Sequence, residues 1–208
     1  AVSPDGTEAI SINFARLRIT RPDYGYGGDG QNARKDVQFP TDDGLFLVDL
    51  KTGQAKLLVS IAQVKSIVPE VPREGIEYFN HTLFSRDGSK IFWLARAIPN
   101  RITTSLTIHR NGSHLQRCFP DGWGGSHFDW LDDNLLMITA AYDAKDYSHI
   151  LFTVGKDDYR RLGNGLLDVF NFLVVQAVLF ELVFELVSEG FVGRGDEGDR
   201  AVKLGQAV

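Results

Sequence analysis

The sequence predicts an all-β fold, a partial β-propeller with about three four-stranded antiparallel blades. A repeated segment is the first observation: HTLFSRDGSKIFWLA begins at His81, and HFDWLDDNLLMITA begins 46 residues later (127 − 81) at His127. Apolar runs joined by hairpin signals are the second. The third is the composition, because 21 glycines, 7 prolines and an aromatic content of 11% favour a turn-rich β protein over a helical bundle.

Glycine-containing turns separate pairs of apolar runs at three places in the chain. They are Thr52-Gly53, Asn111-Gly112 and the turn around Gly155, and glycine allows the left-handed backbone that a tight hairpin needs. Other turns, with the letters SPDG, SRDG and LDDN, lead into runs that are apolar on both faces. These runs predict buried innermost strands over Ala9–Phe14, Ile91–Ala95 and Leu135–Ala140.

A unit of inner strand, connection and outer hairpin therefore recurs about every 40 to 60 residues, which is the period of a propeller blade. We predict blades over about 1–60, 79–119 and 126–163, within a propeller region of 1–165. A two-sheet sandwich would also give short strands at this spacing. It would not explain why the His-x-x-aromatic pattern occurs twice.

The region 166–208 does not continue the repeat. Its apolar stretch Val169–Val187 contains Asn171, Gln176, Glu181 and Glu185 at spacings that match neither a helical stripe nor strand alternation. Three interpretations stay open for this atypical tail: a membrane helix, a terminal helix or disordered segment beside an open edge strand, or a frame-shifted, unselected sequence. Only a genuine segment over 169–187 would imply a membrane.

Charge and cysteine content limit the partners and the covalent chemistry. The net charge of −5 argues against a nucleic-acid partner, and the single cysteine, Cys118, excludes an internal disulfide. The chain opens on AVSPDGTEAI without an initiating Met, so we expect it to start inside a structural unit, and a leader peptide is not observable.

His81 and His127 are the main candidates for chemistry. Each is expected to come just before an innermost strand, which would place both on one rim of the propeller near its axis. Imidazoles at that position could hold a divalent metal such as Mn or Zn, or act as a general base. Equivalent positions on adjacent blades are on the order of 10 Å apart, so a metal site would need further ligands. Alternatively, each histidine only bonds backbone at a blade junction.

Several other residues are candidates for ligand contact. Aromatic side chains on glycine-rich loops, Tyr24, Tyr26 and Trp123, could stack on sugar rings, and Arg16, Arg18 and Arg21 could meet the carboxylates of an acidic sugar. Asp129 could orient His127 or join the site. Loop packing and local backbone hydrogen bonds are the structural alternatives for these residues.

The repeat letters resemble a known family. SPDG and SRDG turns followed by DLKTG and HRNGSHL hairpins resemble the WD40-like PD40 repeats of bacterial TolB-type six-bladed propellers. YFNHTLFSRDGSKIFWLAR and GGSHFDWLDDNLLMITA are similar, more narrowly, to oligogalacturonate lyases. That resemblance implies a histidine-rich manganese site, a histidine base, and a periplasmic or secreted location.

Three functions follow as hypotheses. The first is a fragment of a bacterial propeller that binds a ligand or a protein, without a complete active site. The second is a polysaccharide lyase that performs metal-assisted β-elimination on acidic oligosaccharides. The third is the propeller of a prolyl-oligopeptidase-type peptidase, which would require an α/β-hydrolase domain that this sequence does not contain.

Overall fold

Three antiparallel sheets form the part of the chain that the computed structural model describes, which is residues 1–26, 33–69, 75–99, 103–120, 123–141 and 147–162. The predicted tail over 166–208 lies outside these residues. The first sheet contains β1 (Glu8–Ile12), β2 (Gly44–Asp49) and β3 (Ala55–Ser60) in that order. The second contains β4 (Ile76–Phe84), β5 (Lys90–Ile98), β6 (Thr103–His109) and β7 (Gln116–Arg117). The third contains β8 (Gly124–Trp130), β9 (Leu135–Ala141), β10 (Ser148–Thr153) and β11 (Tyr159–Leu162).

The S-x-D-G motif forms the same turn in the first two blades. In the first blade the Ser3 hydroxyl donates to Asp5 Oδ1 at 2.6 Å, and in the second the Ser85 hydroxyl donates to Asp87 Oδ1 at 2.7 Å. The serine oxygen of each turn also accepts a backbone N–H from the start of the following strand. These side-chain-to-backbone bonds replace ladder bonds where the chain reverses, so the repeated letters produce a repeated backbone.

The β5 strand is buried from both sides, which explains its unbroken apolar run. Trp93 belongs to the apolar cluster shared by the first two sheets, whereas Phe92 and Leu94 belong to the cluster shared by the second and third. All three side chains are fully buried. Burial of each contributes about 1.5–3 kcal/mol, so the second sheet is the centre of the folded core.

Two short helices and the order of the strands correct the sequence prediction. The strand predicted over Ala9–Phe14 ends at Ile12, because Asn13 accepts a hydrogen bond from the Arg16 amide and begins α1 (Phe14–Thr20). A capping box at Ser60 begins α2 (Ile61–Ile67). In the second and third sheets the strands predicted as innermost, β5 and β9, are preceded by the edge strands β4 and β8, whereas in the first sheet β1 is itself at the edge. The histidines lie inside the edge strands β4 and β8, which contact each other.

The three sheets, each of three or four antiparallel strands, confirm the predicted all-β partial propeller. The first sheet has three strands, and an isolated bridge between Val2 and Ala9 stands where a fourth would pair. Among the described residues, no helix has the length and apolar character needed to cross a membrane.

Candidate functional site

Both repeated histidines lie at a β-bulge. The register of β4 against β5 shifts between Asn80 and Leu83, and the register of β8 against β9 shifts between Ser126 and Phe128. His81 and His127 occupy these shifts with positive φ angles of 54° and 62°. Left-handed backbone is uncommon for a residue other than glycine, and such strain concentrates at functional sites. Bulges also turn a side chain away from the regular pleat.

The two imidazoles line one open cleft, with a volume of about 630 Å³. The His81 ring lies 5.7 Å from the Phe128 ring, which follows His127 in β8. Three elements supply the walls: the segment after α1, the β4–β5 pair and β8. The lining residues are Arg21, Tyr24, His81, Thr82, Leu83, Arg96, His127 and Phe128.

Positive charge dominates this cleft. Arg21 and Arg96 contribute two guanidinium groups, and none of the eight lining residues is a carboxylate. Burial within the cleft, followed by the charges of Arg96, His127 and Arg21, lowers the pKa of His81 to about 4. The His81 side chain remains accessible to solvent at the mouth of the cleft, and the guanidinium groups of Arg96 and Arg21 add to the effect of its burial. His81 is therefore neutral at neutral pH.

The two arginines are held in different ways. Burial lowers the pKa of the Arg96 guanidinium, and the interaction with the Tyr78 side chain, which includes a hydrogen bond, acts in the opposite direction. The Nε atom of Arg96 is buried without a hydrogen-bond partner. Arg21 stacks on the ring of Tyr24, with 4.8 Å from its Cζ atom to the ring centroid. Arg96 is thus held within the sheet beside Tyr78, whereas Arg21 lies against the exposed ring of Tyr24.

The predicted contact residues are not all brought to the cleft. Trp123 packs against Phe119 and Phe128, and its indole N–H is buried. The Asp129 carboxylate pairs with Arg86 at 3.0 Å. Neither residue lines the cleft.

Tyr26 and Arg18 also lie outside the cleft lining. The Tyr26 side chain is 74% exposed and contacts Phe14, with 5.2 Å between ring centroids. Arg18 is exposed on α1. Of the residues proposed from the sequence, His81, His127, Arg21 and Tyr24 are the ones that meet in one cleft.

Sequence reasoning missed Arg96. It lies near the end of the apolar run KIFWLARAI, and a single arginine within a strand buried on both faces was the available signal. A charged side chain at such a position needs a partner or a ligand.

The described residues do not fit a manganese or zinc site. Two imidazoles stand beside two guanidinium groups, whose charge opposes a divalent cation. Within the described ranges, no group of three or more His, Cys, Asp or Glu side chains is placed to hold a metal ion. Structural zinc sites use four protein ligands and catalytic ones use three, whereas the cleft lining offers two imidazoles.

No family model matches this chain, and no curated protein matches it. A solved structure described as "Oligogalacturonate lyase in complex with manganese" matches with a TM-score of 0.50 and 15% sequence identity. The match covers 77% of this chain and 39% of that one, so the chain spans well under half of the similar structure. At this identity the likeness shows the fold alone, and it supports a distant propeller similarity. The finer resemblance to TolB-type PD40 repeats stays a prediction.

Proposed function

We propose that this chain is part of a bacterial propeller that binds an acidic oligosaccharide in the cleft between β4 and β8. The observation that carries the proposal is the meeting of two guanidinium groups, those of Arg21 and Arg96, in a cleft without a lining carboxylate. A site that collects positive charge without compensating it favours an anionic ligand.

The shape and chemistry of the cleft support a ligand that carries carboxylates on rings. Guanidinium groups bind carboxylates with two parallel hydrogen bonds, which are stronger than bonds between neutral groups. Tyr24, which is 62% exposed, offers a ring face beside Arg21. A volume of about 630 Å³ is within the usual range for a small-molecule site.

Calorimetric titration with a trimer of galacturonic acid tests the proposal. Arg96→Ala and Arg21→Ala should each weaken binding at least tenfold or so, because a hydrogen bond to a charged group contributes about 1.5–3 kcal/mol. Arg160→Ala is the matched control, since Arg160 is exposed on β11 and lies outside the cleft lining. It should change the affinity less than about twofold.

A trimer of neutral galactose should not bind measurably. Equal binding of the neutral and acidic trimers would contradict the proposal. So would equal losses in Arg160→Ala and Arg96→Ala.

A polysaccharide lyase is the second candidate, favoured by the likeness to the lyase structure and by the neutral state of His81. A neutral imidazole can accept a proton in a β-elimination. Incubation with the galacturonic-acid trimer should then produce the ultraviolet absorbance of an unsaturated uronate, and His81→Asn should abolish it. Binding of the trimer without that absorbance would support the binding-module hypothesis and contradict the lyase hypothesis. The prolyl-oligopeptidase alternative gains no support from the described residues.

A further inference from the structure

We propose that Arg16, a buried residue outside the cleft, is the positioning residue for the wall that Arg21 and Tyr24 form. Arg16 would act on a ligand only through that wall, so this role rests on the proposed function. In the first blade a long insertion, residues 21–43, separates α1 from β2, and Arg16 would fix its part 33–38 to β4, the strand that carries His81.

Arg16 is 1% exposed, and its guanidinium group donates to backbone carbonyls from two distant parts of the chain. Its Nε donates to the Glu77 carbonyl in β4. Its other two nitrogens donate to carbonyls of the insertion, at distances between 2.7 and 3.4 Å; these belong to Ala33, Arg34, Val37 and Gln38. One side chain therefore joins α1, the insertion and β4.

Buried acidic groups compensate the charge of Arg16. Asp43 is 3% exposed and Glu77 is 1% exposed, and both carboxylates act favourably on the Arg16 guanidinium. Asn13 connects this network to the helix, because its side-chain amide donates to Asp43 at 2.9 Å while its oxygen caps α1. A buried charge with compensation from several elements fixes their arrangement strongly, since breaking it leaves an uncompensated charge.

The cleft wall follows directly from the end of α1. The Arg21 amide donates to the Leu17 carbonyl at 2.7 Å, and the Tyr24 amide donates to the Arg21 carbonyl at 3.0 Å. Gly25 packs so tightly on the backbone of Arg18 that a Cβ atom there would overlap it. The segment 21–25 is thus attached to the helix, and the position of the helix relative to β4 decides where Arg21 and Tyr24 stand opposite His81.

Only arginine can make this set of bonds. Its planar group presents five N–H donors in a fixed fork, whereas lysine offers three donors at one point. Arg16→Lys keeps the charge and should lose the simultaneous connection to β4 and to the insertion. Arg16→Gln removes the charge and is the second variant.

A double-mutant cycle with the galacturonic-acid trimer distinguishes positioning from general destabilisation. Arg16→Lys should weaken binding about tenfold. In a variant that already lacks the wall because it carries Arg21→Ala and Tyr24→Ala, the Arg16→Lys substitution should weaken binding by less than a further factor of about two. In a His127→Asn background, which alters the opposite wall, it should still cost about tenfold. Equal additional losses in both backgrounds would overturn the proposal.

Hydrogen exchange provides a test that needs no ligand and that begins with the wild-type chain. Amides of α1, of Arg21 to Gly25 and of the 34–38 segment should open together, as one cooperative unit. In Arg16→Lys or Arg16→Gln the same amides should exchange at least about tenfold faster, while those of β5 and β9 stay unchanged. Independent opening of the segments in the wild type would overturn the role of Arg16. Absence of trimer binding by the wild type would instead contradict the proposed function and leave the exchange result to decide on Arg16.

Discussion

The second and third blades repeat one backbone but differ in charge around their histidines. Before the acidic turn the equivalent positions are 46 residues apart, and after it they are 45 apart, because the LDDN turn is one residue shorter. His81 and His127 are equivalent and share the bulge and the positive φ angle. Tyr78, paired with Arg96 across β4 and β5, corresponds to Gly124, paired with Ala141.

The repeat determines the backbone around each histidine but not the charge of the cleft. The repeat determines where each histidine lies and how its backbone turns, because those features depend on the register shift and on the acidic turn. The Tyr78–Arg96 pair occurs in the second blade alone of these two, and Arg21 comes from an insertion in the first blade. The charge of the cleft therefore arises from departures from the repeat.

The largest expected effects concern the equivalent positions Phe79 and Gly125. Phe79 is 3% exposed and packs on Trp93, so Phe79→Ala should lower the free energy of unfolding by about 3–5 kcal/mol. Gly125 must have no side chain, because a Cβ atom there would overlap the Thr139 carbonyl and lie 2.6 Å from Ala140 Cα. Gly125→Ala should cost about 1–3 kcal/mol.

Urea unfolding followed by circular dichroism measures both losses. Phe79→Leu is the control for the position in the second blade, since it keeps an apolar side chain and should cost less than Phe79→Ala. A Gly125→Ala variant as stable as the wild type would show that β8 and β9 are not in close contact there, and the two blades would then be more alike than described.

The fold could be predicted because it depends on local, repeated signals. Thr52-Gly53 and Asn111-Gly112 form the hairpins that their letters indicate, and both glycines have positive φ angles. The apolar run around Trp93 is buried on both faces, as its composition predicts. The innermost strand was predicted wrongly in the second and third blades, because an exposed histidine at a bulge interrupts the apolar pattern of β4 and of β8.

The composition of the cleft could be predicted only in part. His81 and His127 are at equivalent positions of two repeats, and they come to one cleft because the repeats stack side by side. Arg96 and Arg16 become significant only through contacts between elements far apart in the chain, and no short-range pattern marks them. Asn is a common residue at the start of a helix, so Asn13 could have indicated the beginning of α1. The apolar run before it instead favoured a strand that continues to Phe14.

The pH dependence of stability should report the surroundings of His81, with a smaller effect than the loss of Phe79. The pKa of His81 is about 4 in the folded chain and about 6.5 when unfolded. Between these values the unfolded chain binds a proton that the folded chain does not, so the free energy of unfolding falls as the pH falls from about 6.5 to 4. His81→Asn, which tolerates the left-handed backbone, should flatten this dependence.

Urea unfolding of the wild type and of His81→Asn at several pH values between 7 and 4 gives the comparison, because other titrating groups cancel in the difference. Arg96→Ala should flatten the dependence partly, since it removes one of the charges that lower the pKa of His81. An NMR titration of the His81 ring with a midpoint near 6.5 would contradict the expected influence of the two arginines.

The smallest expected effect is at the junction between the second and third blades. Arg86 donates to the Trp130 carbonyl at 2.7 Å and pairs with Asp129, but the two charged side chains are 52% and 34% exposed. An exposed ion pair contributes at most about 1 kcal/mol, so Arg86→Ala and Asp129→Asn should each cost less than that in urea unfolding. Because Asp129 is equivalent to Leu83 but lies outside the cleft lining, Asp129→Asn should leave the affinity for the galacturonic-acid trimer within about twofold of the wild type. A tenfold weakening in that variant would place Asp129 in the ligand site after all, and the third blade would then contribute chemistry as well as backbone.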